Sequence, residues 1–331
     1  MISVIIPYYQ RNSGVLAKAL ASIGAQRSCP YVLSVLVVDD SSPAPVGPEL
    51  IRAGVLPFTV QIIWQANGGP GSARNTGLNH VSPGTRYIAF LDSDDEWLPD
   101  HLARAARALD KGHDFYFSDF YQLNQNQSAF TRAGRINGGQ HLILDNLADS
   151  QYVYQGDMLN QIITGNIIGT PTVVYDFERF KDVRFRVEFT TAGEDYLFWM
   201  TMVAQGAKIS FSTIAEVRCG NGVNIYSGSS WGSRHFLLRA HNEINYRKET
   251  LKLYSLSSTQ RTFIDKCIGD LRRSFVSDLF HRITHLKSIP LGLLAKHIKS
   301  DPLTYLSIPK NFVHLLLQKM SSFKKNAKNK N

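Results

Sequence analysis

Three carboxylates within four residues, in Asp92-Ser93-Asp94-Asp95, follow directly on an apolar run from Tyr87 to Leu91. Aspartate is depleted in strands, and like charges this close repel one another, so a cation at this place would relieve the crowding. Asp92 and Asp94, at alternate positions, offer the hard oxygens that suit Mg²⁺ or Mn²⁺, ions that commonly bring phosphate oxygens with them. The same residues also read as a solvated turn followed by the first acids of a helix, because Pro99 and the apolar Leu102, Ala105, Ala106 and Leu109 mark a helix just beyond. Two further acid pairs stand at comparable places. Asp39-Asp40 ends the apolar run from Val32 to Val38, and Glu194-Asp195 follows Gly193 at the head of a helical pattern.

The elements that must position these acids alternate along the first third of the chain. Ser3 to Ile6 is a short apolar strand that Pro7 is expected to stop. Ser13 is placed to cap a helix whose apolar face is Val15, Leu16, Ala19, Leu20 and Ile23. Residues 32–38, 58–64, 87–91 and 115–117 read as further strands, with a helix from Ser72 as cap to Val81 and another reaching about Lys111. Short apolar strands alternating with helices predict a mostly parallel sheet covered on both faces. Ligands of such sheets bind beyond the carboxyl ends of the strands, where Asp39-Asp40 and the Asp92–Asp95 cluster both fall. Residues 120–165 read as loop and short helices, 165–175 as a strand region, 193–205 as a helix and 208–212 as a strand. Gly220 to Trp231, rich in Gly, Asn and Ser, reads as a connector.

The chain has 331 residues, enough for one large α/β domain with an appendage, and is 44% hydrophobic with 18 Phe and 14 Tyr, enough for a substantial core. Its three cysteines, Cys29, Cys219 and Cys267, are scattered and odd in number, which fits a reducing compartment and no disulfide framework. No signal peptide is visible, and no apolar stretch approaches the roughly 20 residues a membrane span needs. The net charge of +9 is unevenly placed: residues 232–331 carry 19 Lys and Arg against 6 acids, and residues 1–231 carry 17 against 21. The two parts are expected to have different partners.

Several motifs, taken in order, resemble those of family 2 glycosyltransferases, enzymes of the GT-A fold. Val4-Ile5-Ile6-Pro7-Tyr8-Tyr9 resembles the opening strand, and Val37-Val38-Asp39-Asp40-Ser41-Ser42 the acidic turn that reads the nucleotide. The segment from Asn67 to Gly77 resembles the Gly-rich stretch that packs beside it, Leu91 to Asp95 the metal-binding DxD element, and Gly193-Glu194-Asp195 with Phe198-Trp199 the acidic pair that supplies the base. The resemblance covers about residues 1–215. It implies a GT-A catalytic domain over 1–231, with a nucleotide-sugar half (about 1–118) and an acceptor half (about 119–231). A basic helical region, 232–331, follows. It also implies a metal-dependent, inverting transfer from a nucleoside-diphosphate sugar, more readily a UDP-sugar, to a saccharide or lipid-linked saccharide in bacterial surface-polysaccharide assembly.

The resemblance assigns the donor to Pro7, Tyr9, Asp39, Asp40, Asn67, Gly71, Arg74, Asp92 and Ser93. A strand-end carboxylate such as Asp40 can accept the imide N–H of uracil or the amino group of another base, while Asp39 holds local backbone; the reverse assignment stays open. Arg74 either contacts the nucleotide or ties its loop to the acidic turns. Asp92 would hold ribose or a metal-bound water and Asp94 the Mn²⁺ or Mg²⁺, with His235 as a candidate third ligand. Asp195, or Glu194 if the register slips by one, would take the proton from the acceptor hydroxyl. Trp199 is a candidate lining of a sugar site, and Phe198 fits the core.

From about residue 234 the period becomes helical: one helix to Tyr254, then a face of Ile264, Cys267, Ile268, Leu271, Phe275, Leu279 and Ile283. A last apolar helix over 312–320 with a Lys-rich tail suits an anionic membrane surface, which would make the enzyme cytoplasmic and peripheral at the inner face of the membrane. No nucleic-acid module is present in the sequence. Two other readings stand beside this one. A sugar-1-phosphate nucleotidyltransferase would carry a Gly-rich signature with Arg and Lys after the first strand, where this chain has Pro7-Tyr8-Tyr9. A membrane-associated scaffold would have a vestigial pocket.

Overall fold

The computed structural model describes residues 1–145, 150–189, 192–221 and 230–306. They divide into two compact units: Met1–Thr190 with Glu194–Asn224, and Thr191–Gly193 with Ile225–Asn331.

The first unit is built on one mixed sheet. Its strands are β1 (Ile2–Tyr8), β2 (Leu33–Asp39), β3 (Thr59–Trp64), β4 (Tyr87–Phe90), β5 (Glu96–Trp97), β6 (Phe115–Tyr121), β7 (Leu142–Ile143), β8 (Gln151–Val153), β9 (Val174–Asp176) and β10 (Ile209–Arg218). They lie in the order β3-β2-β1-β4-β9-β6-β10-β8-β7, and β5 pairs with β10. β3, β2, β1 and β4 are mutually parallel, β9 runs antiparallel to both β4 and β6, and β6 is parallel to β10. Helices α1 (Val15–Gly24), α2 (Val46–Ala53), α3 (Pro70–Asn79), α4 (His101–Asp110), α5 (Ala129–Ala133), α6 (Met158–Gly165) and α7 (Glu194–Ala204) flank it. The register sets Tyr8 opposite Asp39 and Asp39 opposite Trp64, so the carboxyl ends of β1, β2 and β3 are level. β1 lies between β2 and β4, and the chain's order reverses there, which opens the crevice where doubly wound sheets bind ligands.

Three local expectations change. Pro7 does not stop β1 but lies within it, opposite Val38. The last β1–β4 pair is Ile5 with Phe90, so β4 ends before it needs an N–H from Pro7, and the missing donor costs no ladder bond. Ser13 does not cap α1. Glu49 of α2, a helix that sequence reading passed over, does so instead: its carboxylate accepts the N–H groups of Gly14 (2.5 Å) and Ala17 (3.1 Å). The helix expected from Ser72 to Val81 begins earlier, with Pro70 in its first turn, and ends at Asn79.

The second unit is helical: α8 (Phe236–Leu253), α9 (Ser258–Thr284), α10 (Leu291–Ser300) and α11 (Leu303–Leu306). Ser257 and Gln260 form a reciprocal capping box at the start of α9. Leu237, Ala240 and Phe275 make a small core against which Leu293, Leu294 and Tyr305 pack. Beneath α10, buried His297 stacks on Phe275 at 4.2 Å and meets Thr304 through Nε2 at 3.1 Å. Thr304 in turn donates to Asp301 (2.6 Å), which Arg272 and Lys248 neutralise. The apolar segment 312–320 and the Lys-rich tail lie outside the described residues. Among those described, no helix is long and apolar enough to cross a membrane.

Candidate active site

Asp39 and Asp40 close β2 with opposite commitments. Asp40 is 2% exposed, and its side chain is taken up by the loop that follows β3. Oδ1 accepts Gln65 Nε2 and the Gly68 N–H, both at 2.7 Å, and Oδ2 accepts the Gly69 N–H at 2.8 Å and Asn67 Nδ2 at 3.2 Å. One carboxylate thus holds the whole 65–69 segment and the entry to α3. Asp39 accepts a local N–H, that of Ser42, through Oδ1 at 2.8 Å. Burial, together with Asp40 beside it, raises the Asp39 pKa above the usual carboxylate value. Pro7 lies next to this turn in β1, and Tyr9 stands partly exposed just past the strand.

The segment after β4 alternates. Asp92 and Asp94 are partly exposed, while Ser93 and Asp95 are buried. Ser93 receives Gln10 Nε2 at 3.0 Å, and the Gln10 backbone bonds Ser42, so Gln10 ties the Asp92–Asp95 turn to the Asp39-Asp40 turn. The Asp95 carboxylate accepts the Gly220 N–H at 2.9 Å. Burial first, then Asp92 and Asp94, hold the Asp95 carboxyl well above the ordinary range. The approach at Gly220 is close: a Cβ there would lie 1.5 Å from the Asp94 carbonyl oxygen. The segment just past β10 is therefore latched onto the Asp92–Asp95 turn. Gly220→Ala is expected to displace the Asp94 backbone, to lower the melting temperature and to weaken nucleotide binding at least about tenfold. Titration calorimetry and thermal unfolding of the same sample check it; wild-type affinity would show that the latch does not set the turn.

Arg74 of α3 gathers the remaining acids. Its guanidinium is 4% exposed, lies 5.3 Å over the Phe185 ring, and donates through Nη2 to Asp92 Oδ1 at 2.6 Å. Burial opposes its charge, but Asp92, Glu194 and Asp195 outweigh that and raise its pKa. Asn75, one residue on, exchanges two 2.8 Å hydrogen bonds with the Phe185 backbone and so fixes the floor beneath Arg74. Gly71 lets α3 approach α7, since a Cβ there would meet Glu194 Cγ at 3.4 Å and Phe185 Cβ at 3.3 Å. Burial and Asp195 push the Glu194 carboxyl up to about 8, against the pull of Arg74. Burial raises Asp195 as well, while the Tyr196 N–H at 2.8 Å and Arg74 draw it back. Arg74, Asp92, Glu194 and Asp195 thus form one electrostatic cluster from segments far apart in the chain.

Several of its supports were not visible in sequence. Gln10, Gln65, Phe185 and Gly220 belong to no acid pair, and each acts through a contact with a segment remote in sequence. Trp199, offered as a sugar-site lining, is fully buried at 5.4 Å from Phe115 and 5.2 Å from Phe198, so it belongs to the aromatic core with Phe198. His235 heads α8 in the second unit. Among the described residues, no three or more His, Cys, Asp and Glu are gathered as a ready metal cluster. Asp92 and Asp94 nonetheless fit a divalent ion: both are partly exposed on alternate residues, and Arg74 engages one oxygen of Asp92. Such ions are held by one or two carboxylates together with substrate phosphates.

The fold, with carboxylates at the carboxyl ends of its parallel strands, is that of the GT-A glycosyltransferases. Residues 3–171 match glycosyl transferase family 2, and the chain belongs to that family. It is 30% identical over 316 residues to the succinoglycan biosynthesis protein ExoW of Rhizobium meliloti (strain 1021), across 91% of this chain and 94% of ExoW. It is 26% identical over 225 residues to the Escherichia coli UDP-Glc:alpha-D-GlcNAc-diphosphoundecaprenol beta-1,3-glucosyltransferase WfgD, covering 66% of this chain and 74% of WfgD. In fold it is similar to residues 1–349 of S. aureus TarS, crystallised with UDP-GlcNAc. The TM-score is 0.55 and the identity 20%, over 86% of this chain and 72% of that one. The protein is a family 2 glycosyltransferase with relatives in bacterial polysaccharide biosynthesis.

Proposed function

We propose that the protein transfers one sugar, with inversion, from a UDP-sugar to a lipid-linked saccharide during surface-polysaccharide assembly. The observation that supports the reading is the Arg74 cluster: Arg74 pairs with Asp92, and Glu194 and Asp195 also act on its charge. The UDP-sugar and the lipid-linked acceptor are supported by what TarS was crystallised with and by the WfgD reaction name.

In this mechanism Asp195 accepts the proton of the acceptor hydroxyl. The freed oxygen forms a bond to the anomeric carbon from the face opposite the leaving group, and the bond from that carbon to the diphosphate oxygen breaks. The nucleoside diphosphate leaves with the electron pair, and no covalent enzyme intermediate is needed. Asp92 and Asp94 would hold Mn²⁺ or Mg²⁺, which when bound offsets the charge of the departing diphosphate. Arg74 keeps Asp92 oriented and stabilises the ionised form of Asp195. The base is read by Asp39, because four donors already occupy the Asp40 carboxylate, whose role is to hold the Gly-rich loop.

Calorimetry with UDP, GDP and ADP, each in Mn²⁺ and then in EDTA, tests the proposal. The expected result is metal-dependent micromolar binding of UDP, lost in Asp39→Asn. Tighter binding of GDP or ADP would overturn the donor, and equal binding in EDTA would overturn the metal.

A further inference from the structure

The second unit exposes an apolar stretch, residues 283–306, whose exposed charges are all positive. In α10 the inward positions are Leu293, Leu294 and His297, which meet the small helical core. Leu291, Ala295 and Ile298 recur at spacings of four and three on another side of the helix, and all three are exposed. Leu291 is 73% exposed, Leu286 before it 95% and Leu306 after it 75%, and Leu303 and Ile283 are also exposed. Isolated leucines on a surface need no explanation, but exposed apolar side chains recurring from Ile283 through Leu306 do.

The polar residues around this run choose its occupant. Lys287, Lys296 and Lys299 are exposed among the leucines. The one acid between residues 283 and 306 is Asp301, which is buried and paired with Arg272 and Lys248. The sequence beyond, 307–331, adds six lysines and no acid. A second copy meeting this stretch with the same stretch would set lysine against lysine, since it supplies no exposed carboxylate. A bilayer with anionic headgroups answers both features at once: acyl chains take the leucines, and phosphates take the ammonium groups. The polar network of His297, Thr304 and Asp301 fixes α10 and α11 from beneath, so the face is a preformed part of the unit.

We infer that the face of α10 and α11 carrying Leu291, Ile298, Leu303 and Leu306, with Lys296 and Lys299, docks the enzyme on an anionic membrane surface. The inference rests on the proposed lipid-linked acceptor, and it assigns the membrane contact to described helices as well as to the basic tail.

The test is sedimentation of the full chain with phosphatidylcholine vesicles, with and without phosphatidylglycerol. Wild type should pellet with the anionic vesicles and release in high salt. Leu291→Glu/Ile298→Glu and Lys296→Glu/Lys299→Glu should each lower partitioning about tenfold or more. UDP binding serves as the folding control for these surface changes. Variants that pellet like wild type would overturn the assignment and leave the tail as the determinant. Wild type that ignores anionic lipid, with either variant changing the oligomeric state in light scattering, would overturn it in favour of a contact between chains. Loss of UDP binding in wild type while lipid binding persists would count against the transferase proposal alone.

Discussion

Asp195→Asn is expected to lower kcat about a thousandfold, within the range a general base contributes, while UDP binds with wild-type affinity. The amide keeps the shape of the side chain and its bond from the Tyr196 N–H, but it cannot hold a proton at neutral pH. The effect should fall on kcat rather than on donor binding, because the base engages the acceptor. The wild-type pH–rate profile supplies a second readout. Burial raises both Glu194 and Asp195, so activity should rise with pH through an apparent value above that of a free carboxylate. That value belongs to the pair, not to either residue. Asp195→Asn should flatten this limb. If the variant keeps its turnover and Glu194→Gln loses it, the base is Glu194.

Arg74→Gln is expected to affect stability and chemistry together. A buried guanidinium that faces Asp92, Glu194 and Asp195 cannot be removed without leaving carboxylates uncompensated, which typically costs about 3 kcal/mol or more. Asp92 is about one-third exposed, so solvent will absorb part of that cost. Denaturant unfolding measures the loss. The chemical consequence has a definite sign: Arg74 lowers the pKa of Glu194 and of Asp195, so its removal raises both. The rising limb of the pH–rate profile should then move to higher pH. Arg74→Lys restores the charge without the forked geometry, and should return the limb toward its wild-type position while activity stays reduced. An unshifted limb in Arg74→Gln would mean that the guanidinium does not set the protonation of the base pair.

The sheet was legible because its signal is local. A buried parallel strand needs a short apolar run, and the runs at residues 3–6, 32–38, 58–64 and 87–91 lie along the strands that end at Tyr8, Asp39, Trp64 and Phe90. The acids stood out for the same reason, since a charge at the end of such a run has no local explanation. Helix starts were less legible. Ser13 and Ser72 have the chemistry of caps, but the first turn of α1 is answered by Glu49, and the glycines leading into α3 are held by Asp40; sequence carries no mark of a partner brought from another element. Trp199 was misplaced because burial, unlike residue type, is decided by what packs around the helix.

The sequence by itself determined the architecture and singled out the candidate site: alternating apolar strands and helices, acid pairs at strand ends, and a motif order that resembles family 2 glycosyltransferases. Only the tertiary structure decided what each acid does. Asp39 and Asp40 are neighbours of one type, yet one carboxylate is filled by the 65–69 loop and the other accepts a single local N–H. Asp92 and Asp94 differ from Asp95 by which side of the turn is covered, and Gly220, more than a hundred residues away, does part of the covering. The physical reason is the same in each case. A carboxylate's role depends on its remaining lone pairs and its solvation, and those are set by donors and walls that only folding brings together.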